Sequence, residues 1–250
     1  MKTKKRTALV TGAGNGIGIA ICNHLENKGY NIIAVSRNQE HLNLIRSSLR
    51  QKEHLFLICD LVTPVGCNDL LNFIQENGLP HVVVNNLRTP SIRKKLIGAS
   101  INVLNSNVKE NIDHLLVIMK PVIEFQREEK FGRWIGIGSM SEHFGVPGMA
   151  VYNLQKSILE SLIKTLATEE GQHGITANMV VPGLISTPAV TENYSEQEFD
   201  LRSKQNVMKR IGTVDEVAAA VAFLASEEAS YITGITLPVN GGNHLAWNFL

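Results

Sequence analysis

Residues 11–18 read TGAGNGIG, and this stretch decides the fold. Its four glycines leave little side-chain volume, which suits a turn that another group approaches closely. The preceding segment, 7–10, is short, apolar and typical of a buried strand, and 17–27 carries apolar side chains at helical spacing. A strand, a glycine turn and a helix together aim backbone N–H groups at an anion. The stretch therefore predicts a dinucleotide pyrophosphate site, with an ordinary tight connection as the alternative.

The rest of the chain alternates short apolar runs with amphipathic stretches. The predicted strands are 8–10, 31–35, 55–59, 82–84, 134–137, 176–181 and 235–238. The predicted helices are 17–28, 39–51, 65–76, 100–128, 150–172 and 214–225. This order predicts an α/β fold, a Rossmann-type doubly wound parallel sheet of about seven strands with helices on both faces. We expect one domain over residues 1–250, with its ligand cleft at the carboxyl ends of the strands.

One polar, strand-free stretch, 186–210, interrupts this alternation. Long irregular stretches inside compact domains are uncommon and often cover an active site. We expect a substrate lid here, with a plain surface excursion as the alternative.

Composition excludes several classes of protein. Lys and Arg number 24 against 23 Asp and Glu, so the net charge is +1, and no basic field exists to attract nucleic acid or an anionic membrane. No apolar run approaches the roughly 18 residues of a membrane span. The three cysteines are odd in number and lack metal-ligand spacing, which predicts no metal site and a reducing, cytoplasmic location.

A proton-donating group is predicted near the carboxyl end of the strand at 134–137. Tyr152 and Lys156 are four residues apart, so they share one face of the predicted helix. Ser139 follows the apolar strand WIGIG and lies thirteen residues before Tyr152. A hydroxyl, a phenol and an ammonium at one crevice would form a site that delivers a proton to an oxygen.

These motifs resemble the short-chain dehydrogenase/reductase family over essentially the whole chain. Residues 11–18 match that family's T-G-x-x-x-G-x-G cofactor signature, and Ser139, Tyr152 and Lys156 match its catalytic set at the customary spacing. The tail from Phe223 to Gly242 closely resembles the bacterial 3-oxoacyl-acyl-carrier-protein reductases.

The resemblance implies a role for each catalytic residue. Tyr152 would be the acid, Lys156 would stabilise its phenolate, and Ser139 would hydrogen-bond the substrate oxygen. The family also uses an asparagine whose backbone carbonyl positions a relay water; its spacing to the serine selects Asn111, with Asn107 as the alternative.

The resemblance also implies a set of residues around a nicotinamide dinucleotide. The cofactor-binding residues expected are Gly12, Asn15, Gly16, Ile17, Gly18, Ser36, Arg37, Asp60, Leu61, Asn85, Asn86, Tyr152, Lys156, Pro182, Gly183, Ile185 and Thr187.

Ser36 and Arg37, at the end of the second strand, bear on the choice of cofactor. NAD enzymes present an acidic side chain there, whereas Ser36 can donate a hydrogen bond and Arg37 can pair with a 2′-phosphate. NADP(H) is therefore the expected cofactor, with Arg37 as a solvated loop cation the alternative.

Two features concern the substrate side. Leu87 and Arg88 stand where the family usually has Ala-Gly, so Leu87 is expected either to crowd the cofactor or to move the loop. Arg88 is interpreted as a solvated cation or as a contact for an anionic ligand. Lys130 and Arg133 form a candidate docking patch for an acidic carrier protein.

The functional expectation is an NADP-dependent reductase that transfers hydride to a ketone, with a 3-oxoacyl thioester as substrate. A reductase or dehydrogenase of a sugar, polyketide or other secondary metabolite is the alternative, and a non-catalytic dinucleotide-binding protein is the lesser one. Acyl carrier protein is a candidate partner. We expect a homotetramer, with a dimer as the lesser alternative, because the long helices at 100–128 and 150–172 carry extra apolar faces and the tail strand would otherwise be an exposed edge.

Overall fold

A computed structural model describes residues 5–14, 16–88, 95–98, 100–141, 145–192 and 194–245. The strands are β1 (Thr7–Thr11), β2 (Asn31–Ser36), β3 (Leu55–Ile58), β4 (Val82–Asn85), β5 (Gly132–Ile137), β6 (Ile175–Pro182) and β7 (Thr236–Val239). The helices are α1 (Ile17–Asn27), α2 (Gln39–Ser48), α3 (Pro64–Asn77), α4 (Ile101–Glu129), α5 (Ala150–Glu170), α6 (Pro188–Thr191), α7 (Glu196–Ser203) and α8 (Val214–Ala225).

The strands form one parallel sheet in the order β3-β2-β1-β4-β5-β6-β7. The chain leaves β3 at one edge and re-enters at β4 beside β1, so the order reverses between β1 and β4. Their carboxyl ends are in register, with Thr11 paired to Asn85. Ligands of doubly wound sheets bind in the crevice at this reversal point. The predicted fold class is confirmed.

The sheet separates two apolar cores, and alternate residues of each strand enter opposite ones. Ala8 and Val10 enter the core beneath α1, α2 and α8, whereas Leu9 enters the core beneath α3, α4 and α5. In strands buried on both faces, consecutive residues are apolar, rather than every second residue, because the side chains on both faces are covered. This explains why short apolar runs were sufficient to locate them.

One helix ends earlier than its pattern suggests. Periodicity predicts a helix over 39–51, but α2 stops at Ser48 and Leu49 is extended. The next two backbone N–H groups, of Arg50 and Gln51, donate to the carboxylate of Glu26 on α1. This tertiary contact satisfies both N–H groups, so they do not need the hydrogen bonds that a longer helix would provide.

The stretch 186–210 is an excursion that carries the short helices α6 and α7. Its base is tied by a parallel bridge between Ile185 and Gly212, with Ser186 N–H donating to the Gly212 carbonyl at 2.8 Å. α7 is largely exposed and begins with a capping box formed by Ser195 and Glu198. The function of this segment as a lid stays a prediction.

Within the described ranges, no helix is both long and apolar enough to cross a membrane.

Candidate active site

A cleft of about 390 Å³ opens at the carboxyl ends of β1, β2 and β4, at the reversal point of the sheet. Residues on its wall come from the glycine turn, the ends of these strands and the start of the 186–210 excursion. Of the expected cofactor residues, those lining it are Gly12, Gly16, Ile17, Ser36, Arg37, Asp60, Leu61, Asn86 and Thr187.

The glycine turn has the shape that a closely approaching ligand requires. Gly12 and Gly16 have φ angles of +58° and +49°, which side-chain-bearing residues rarely adopt. A Cβ on Gly12 would lie 2.8 Å from the Asn86 carbonyl oxygen, and one on Gly18 would lie 2.6 Å from the Gly12 carbonyl oxygen. The glycines thus bring the turn against β4 and α1 and keep the cleft open. The residues present fit a dinucleotide.

Ser36, Arg37 and His41 form one end of this cleft. His41 lies in the first turn of α2, and its ring approaches the Gly14 α-carbon from the same side as the Ser36 hydroxyl. Ser36 Oγ accepts from the Asn38 backbone N–H at 3.2 Å, which orients the hydroxyl. This end offers a hydroxyl, a guanidinium and an imidazole.

Several expected cofactor residues do not line this cleft, and their contact with a cofactor stays a prediction. Gly18 is beneath the turn, and Asn85 is buried and bonds other side chains. Pro182, Gly183 and Ile185 are absent from the cleft wall; the Ile185 side chain packs in the core and borders a second cavity. Asn15 lies outside the described residues, so its expected contact stays a prediction.

The three expected catalytic residues converge at the carboxyl end of β5. Lys156 is buried and its Nζ donates to the Ile137 carbonyl at 2.9 Å, which fastens α5 to the last residue of β5. The same Nζ lies 5.9 Å from the centre of the Tyr152 ring. Ser139 follows two residues beyond Ile137, and its Oγ lies 3.0 Å from Ser141 Oγ. A hydroxyl, a phenol and an ammonium therefore occupy one corner, as proton delivery to a substrate oxygen requires.

Asn111 and Asn107 belong to one polar network between α4 and α5. Asn111 is buried, and its Nδ2 donates to the Asn107 carbonyl at 2.7 Å. Asn107 Oδ1 accepts from Nε2 of Gln155 at 2.6 Å, and Gln155 directly precedes Lys156. Both asparagines thus adjoin the lysine's helix, and the assignment of Asn111 to the relay stays a prediction.

A buried histidine on α4 is connected to the start of the glycine turn through Asn85. His114 lies on α4, and its Nε2 is 2.9 Å from Asn85 Oδ1. The same oxygen lies 2.9 Å from Thr11 Oγ1, the last residue of β1. Burial, together with the charge of Lys156, lowers the pKa of His114 to about 3. The imidazole is therefore neutral at ordinary pH.

The loop at Leu87 and Arg88 takes a path that accommodates both side chains. Leu87 is partly buried against the core beneath α3, α4 and α5, while Arg88 is exposed. Both border the cleft, as does Glu110 of α4. The Leu87 side chain thus packs against this core while a cleft remains beside it, and the expectation that Leu87 crowds the cofactor or moves the loop stays a prediction.

The expectation that Arg133 forms a docking patch is wrong. Arg133 is only 2% exposed, and its guanidinium lies 4.1 Å from the Phe131 ring centre. It donates to the carbonyls of Gly132, Gly174 and Ser226. These bonds lie at the amino end of β5, away from the cleft, and they occupy the guanidinium that a partner would have contacted.

Some residues in and near the cleft were not predicted from the sequence. His41, Val62 and Glu110 line the wall, while His114 bonds Asn85 and Gln155 bonds Asn107. His41 was detectable in principle, because the first turn of a helix after the second strand faces the strand's end. His114 carried no such signal, since a buried histidine on an amphipathic helix resembles any core position.

The chain is similar to proteins of known activity over its whole length. A family model described as enoyl-(acyl carrier protein) reductase matches residues 12–244. A 3-oxoacyl-[acyl-carrier-protein] reductase of Buchnera aphidicola subsp. Schizaphis graminum is 35% identical over 245 residues, covering 98% of this chain and 100% of that protein. The reductase of the same name from Pseudomonas aeruginosa is 32% identical over 252 residues, with coverage of 98% and 100%.

Solved structures are also similar to this chain. An NADPH dependent reductase involved in bacilysin biosynthesis superimposes with a TM-score of 0.88 and 25% identity, covering 96% of this chain and 98% of that one. A short chain dehydrogenase/reductase family protein gives a TM-score of 0.85 and 26% identity, covering 98% and 100%. With the glycine turn, the reversal-point cleft and the serine–tyrosine–lysine corner in place, the chain belongs to the short-chain dehydrogenase/reductase family.

Proposed function

We propose that the protein reduces the ketone of a 3-oxoacyl thioester to the 3-hydroxyacyl product with NADPH. The observation that carries the proposal is the corner at the end of β5, where the buried Lys156 bonds the Ile137 carbonyl and lies beside Tyr152. The curated relatives named 3-oxoacyl-[acyl-carrier-protein] reductases support the substrate class. The structural relative described as NADPH dependent supports the cofactor.

The chain's own residues account for the proton half of the reaction. A bound nicotinamide cofactor supplies the hydride. Ser139 Oγ donates a hydrogen bond to the carbonyl oxygen and holds it beside the phenol. Tyr152 gives its proton to that oxygen as negative charge develops there, and the Lys156 ammonium stabilises the phenolate left behind. Ser139 and Tyr152 both act on the oxygen, so the arrangement favours a carbonyl over an isolated carbon–carbon double bond.

The expected preference for NADPH rests on the end of the cleft formed by Ser36, Arg37 and His41. A 2′-phosphate brings negative charge to the adenosine ribose, and a guanidinium pairs with it through charge-assisted hydrogen bonds. Arg37 is exposed on the cleft wall, where it can make such bonds. His41, which sequence reasoning missed, adds a second nitrogen donor at the same end.

An acyl carrier protein is the proposed donor of the substrate, because the curated relatives carry that protein in their names. Its surface contact does not include the buried Arg133. A ketone from another biosynthetic route is the second candidate substrate. The similarity to the bacilysin-pathway reductase favours that alternative. The exposed Arg88 on the cleft wall favours it for a ketone that carries a negative charge.

The test combines binding and turnover on the full chain. NADPH binding is followed by its fluorescence, and turnover by NADPH oxidation with a 3-oxoacyl thioester, a 2-enoyl thioester and ketones without a thioester. We expect turnover of the 3-oxoacyl thioester above the others. A preference for the enoyl thioester or for a simple ketone would overturn the substrate assignment, and binding without any turnover would indicate a non-catalytic protein.

Tyr152→Phe tests the acid in the same assay. Removing the hydroxyl eliminates the proton donor with little change in shape, so kcat should fall by about 10²- to 10⁴-fold. The Kd for NADPH should stay near the native value. Tyr231→Phe is the matched control, because Tyr231 is fully exposed in the single chain and does not line the cleft. Near-native turnover of the Tyr152 variant would contradict the mechanism.

A further inference from the structure

The loop that carries Ser139 is bonded to a residue at the end of the edge strand β7. Asn240 directly follows β7, and its Nδ2 donates to Met140 Sδ at 2.9 Å. Met140 is the residue after Ser139, and both Met140 and Asn240 are buried. Because β6 lies between β5 and β7, this hydrogen bond crosses one strand to reach the connection after β5.

The hydrogen-bond partners of the Asn240 amide fix its orientation. Its Oδ1 accepts from the Gly242 backbone N–H at 3.0 Å, and His244 Nδ1 lies 3.1 Å from the same oxygen. A backbone N–H only donates, so the carbonyl oxygen faces Gly242 and the NH2 group faces the thioether. The Met140 side chain is unbranched and has three rotatable bonds, so a donor in a fixed direction selects one of its conformations.

The backbone of Asn240 is packed against the end of β6. A Cβ on Gly183, the residue after β6, would lie 2.8 Å from the Asn240 α-carbon. The Gly183 N–H also donates to the Val239 carbonyl at 3.0 Å. The ends of β6 and β7 therefore form one packed base, from which the Asn240 amide reaches the loop after β5.

Ser139 needs a support of this kind because it lies outside the sheet, two residues beyond β5. Its Oγ lies 3.0 Å from Ser141 Oγ and accepts from the Ser141 N–H at 3.3 Å. Ser141 belongs to the same loop, so these contacts orient the hydroxyl only relative to the loop itself. Within the part of the chain that the structure describes, the bond from Asn240 to Met140 is the one hydrogen bond that ties residues 139–141 to another element.

We propose that Asn240 is a positioning residue for Ser139: its amide holds the Met140 thioether and thereby fixes the loop that presents the serine hydroxyl. The inference rests on the proposed reduction, in which that hydroxyl orients the carbonyl oxygen. A small displacement of an orienting group slows the chemical step, because the reacting atoms then meet in the required geometry less often. The cofactor cleft lies at β1, β2 and β4, on the other side of the sheet reversal from β7, so cofactor binding does not depend on this bond.

Two substitutions remove the bond from opposite ends. Asn240→Asp keeps an oxygen for Gly242 and His244 but has no donor for Met140, and Met140→Leu keeps an apolar side chain of similar volume without the acceptor. We expect each to lower kcat by about three- to tenfold, the loss expected from one hydrogen bond, with the NADPH Kd unchanged. The double variant should be no slower than either single variant, since both remove the same bond. Met119→Leu is the matched control, because Met119 is partly buried against the same core as Met140, and its kcat should stay native.

A native kcat in Met140→Leu would overturn the proposal, and so would additive losses in the double variant, because Asn240 would then act only on the turn at Gly242. Crystal structures of the native protein and of Met140→Leu provide a second readout that needs no substrate. The distance from Ser139 Oγ to the Tyr152 hydroxyl should differ between them, and an unchanged distance overturns the proposal. A failure of the 3-oxoacyl assignment does not affect this distance, so the two failures are distinguishable.

Discussion

At the scale of single residues, the cofactor preference depends on a few polar groups at the end of β2. Ser36 is buried and oriented by the Asn38 backbone, whereas Arg37 is exposed and borders the cleft. A fixed hydroxyl and an adjacent guanidinium suit a phosphate, because both donate hydrogen bonds and the guanidinium carries the opposite charge. An acid in this place would instead repel it.

Arg37→Ala should therefore act on one cofactor only. Losing a charge-assisted hydrogen bond costs about 1.5–3 kcal/mol, which weakens NADPH binding by roughly ten- to a hundredfold. NADH has no 2′-phosphate, so its Kd should hardly change. Fluorescence titration of both cofactors measures this. Arg46→Ala is the control, since Arg46 stacks on Phe56 and does not border the cleft. Equal losses for both cofactors would show that Arg37 does not recognise the phosphate.

At the scale of elements, the connection between α2 and β3 is held by a buried acid. Glu26 on α1 accepts from the backbone N–H groups of Arg50 and Gln51 and from the His54 ring at 2.8 Å. The other ring nitrogen of His54 accepts from the Ile32 N–H at the start of β2. Burial alone would raise the pKa of Glu26, but the bonds from His54, Gln51 and Arg50 outweigh it and hold that pKa below the ordinary value.

Glu26→Gln should destabilise the fold in a pH-dependent way. A carboxyl whose pKa is lowered by folding stabilises the native state above its unfolded pKa, near 4.3, and this stabilisation is lost as the pH falls through the folded pKa. We expect a loss of about 2–4 kcal/mol in unfolding free energy at pH 7, because backbone donors then face an amide. The difference from the native protein should shrink below about pH 4.

Chemical denaturation at pH 7 and at acidic pH measures that difference. Glu53→Gln is the matched control, because Glu53 lies in the same connection with its side chain 70% exposed and should change stability by less than about 0.5 kcal/mol. A pH-independent loss in the Glu26 variant would mean that packing, rather than the carboxylate charge, holds the connection.

At the scale of the whole molecule, large apolar side chains are exposed on many elements, and two of these regions bear on assembly. Leu116 and Leu154 are exposed on α4 and α5, and Phe223, Tyr231 and Ile235 are exposed near β7. Exposed apolar groups gathered on particular elements often mark contacts between subunits. Two different self-complementary surfaces on one chain close into a tetramer of dihedral symmetry.

We therefore propose a homotetramer, which light scattering at micromolar concentration would report as four times the 27.5 kDa chain mass. Tyr231→Ser should weaken one of the two contacts and shift the mass toward a dimer, because the Tyr231 side chain is fully exposed in the single chain. Tyr194→Phe, away from both regions, should leave the mass unchanged. A monomeric native protein would contradict the proposal.

The sequence by itself determined the order of the seven strands and of six of the eight described helices, the glycine turn and the corner at the end of β5. These features depend on local patterns: apolar runs for strands covered on both faces, periodicity for helices, and Tyr152 and Lys156 four residues apart on one helical face. Ser139 lies near that pair because β5 runs directly into the connection that carries this serine. Short-range geometry is sufficient for each, which is why α8 begins and ends at the predicted residues.

Only the tertiary structure decided which distant groups meet. From its residue type Arg133 is expected to be a surface cation. In the structure it is buried, with Phe131 against its guanidinium and carbonyls from two other parts of the chain as hydrogen-bond acceptors. The end of α2 depends on Glu26, and the place of His114 depends on Asn85 across the sheet reversal. Hydrogen bonds between residues far apart in sequence do not produce a periodic pattern in the sequence. They depend on how the helices and strands pack against one another, which local patterns do not determine.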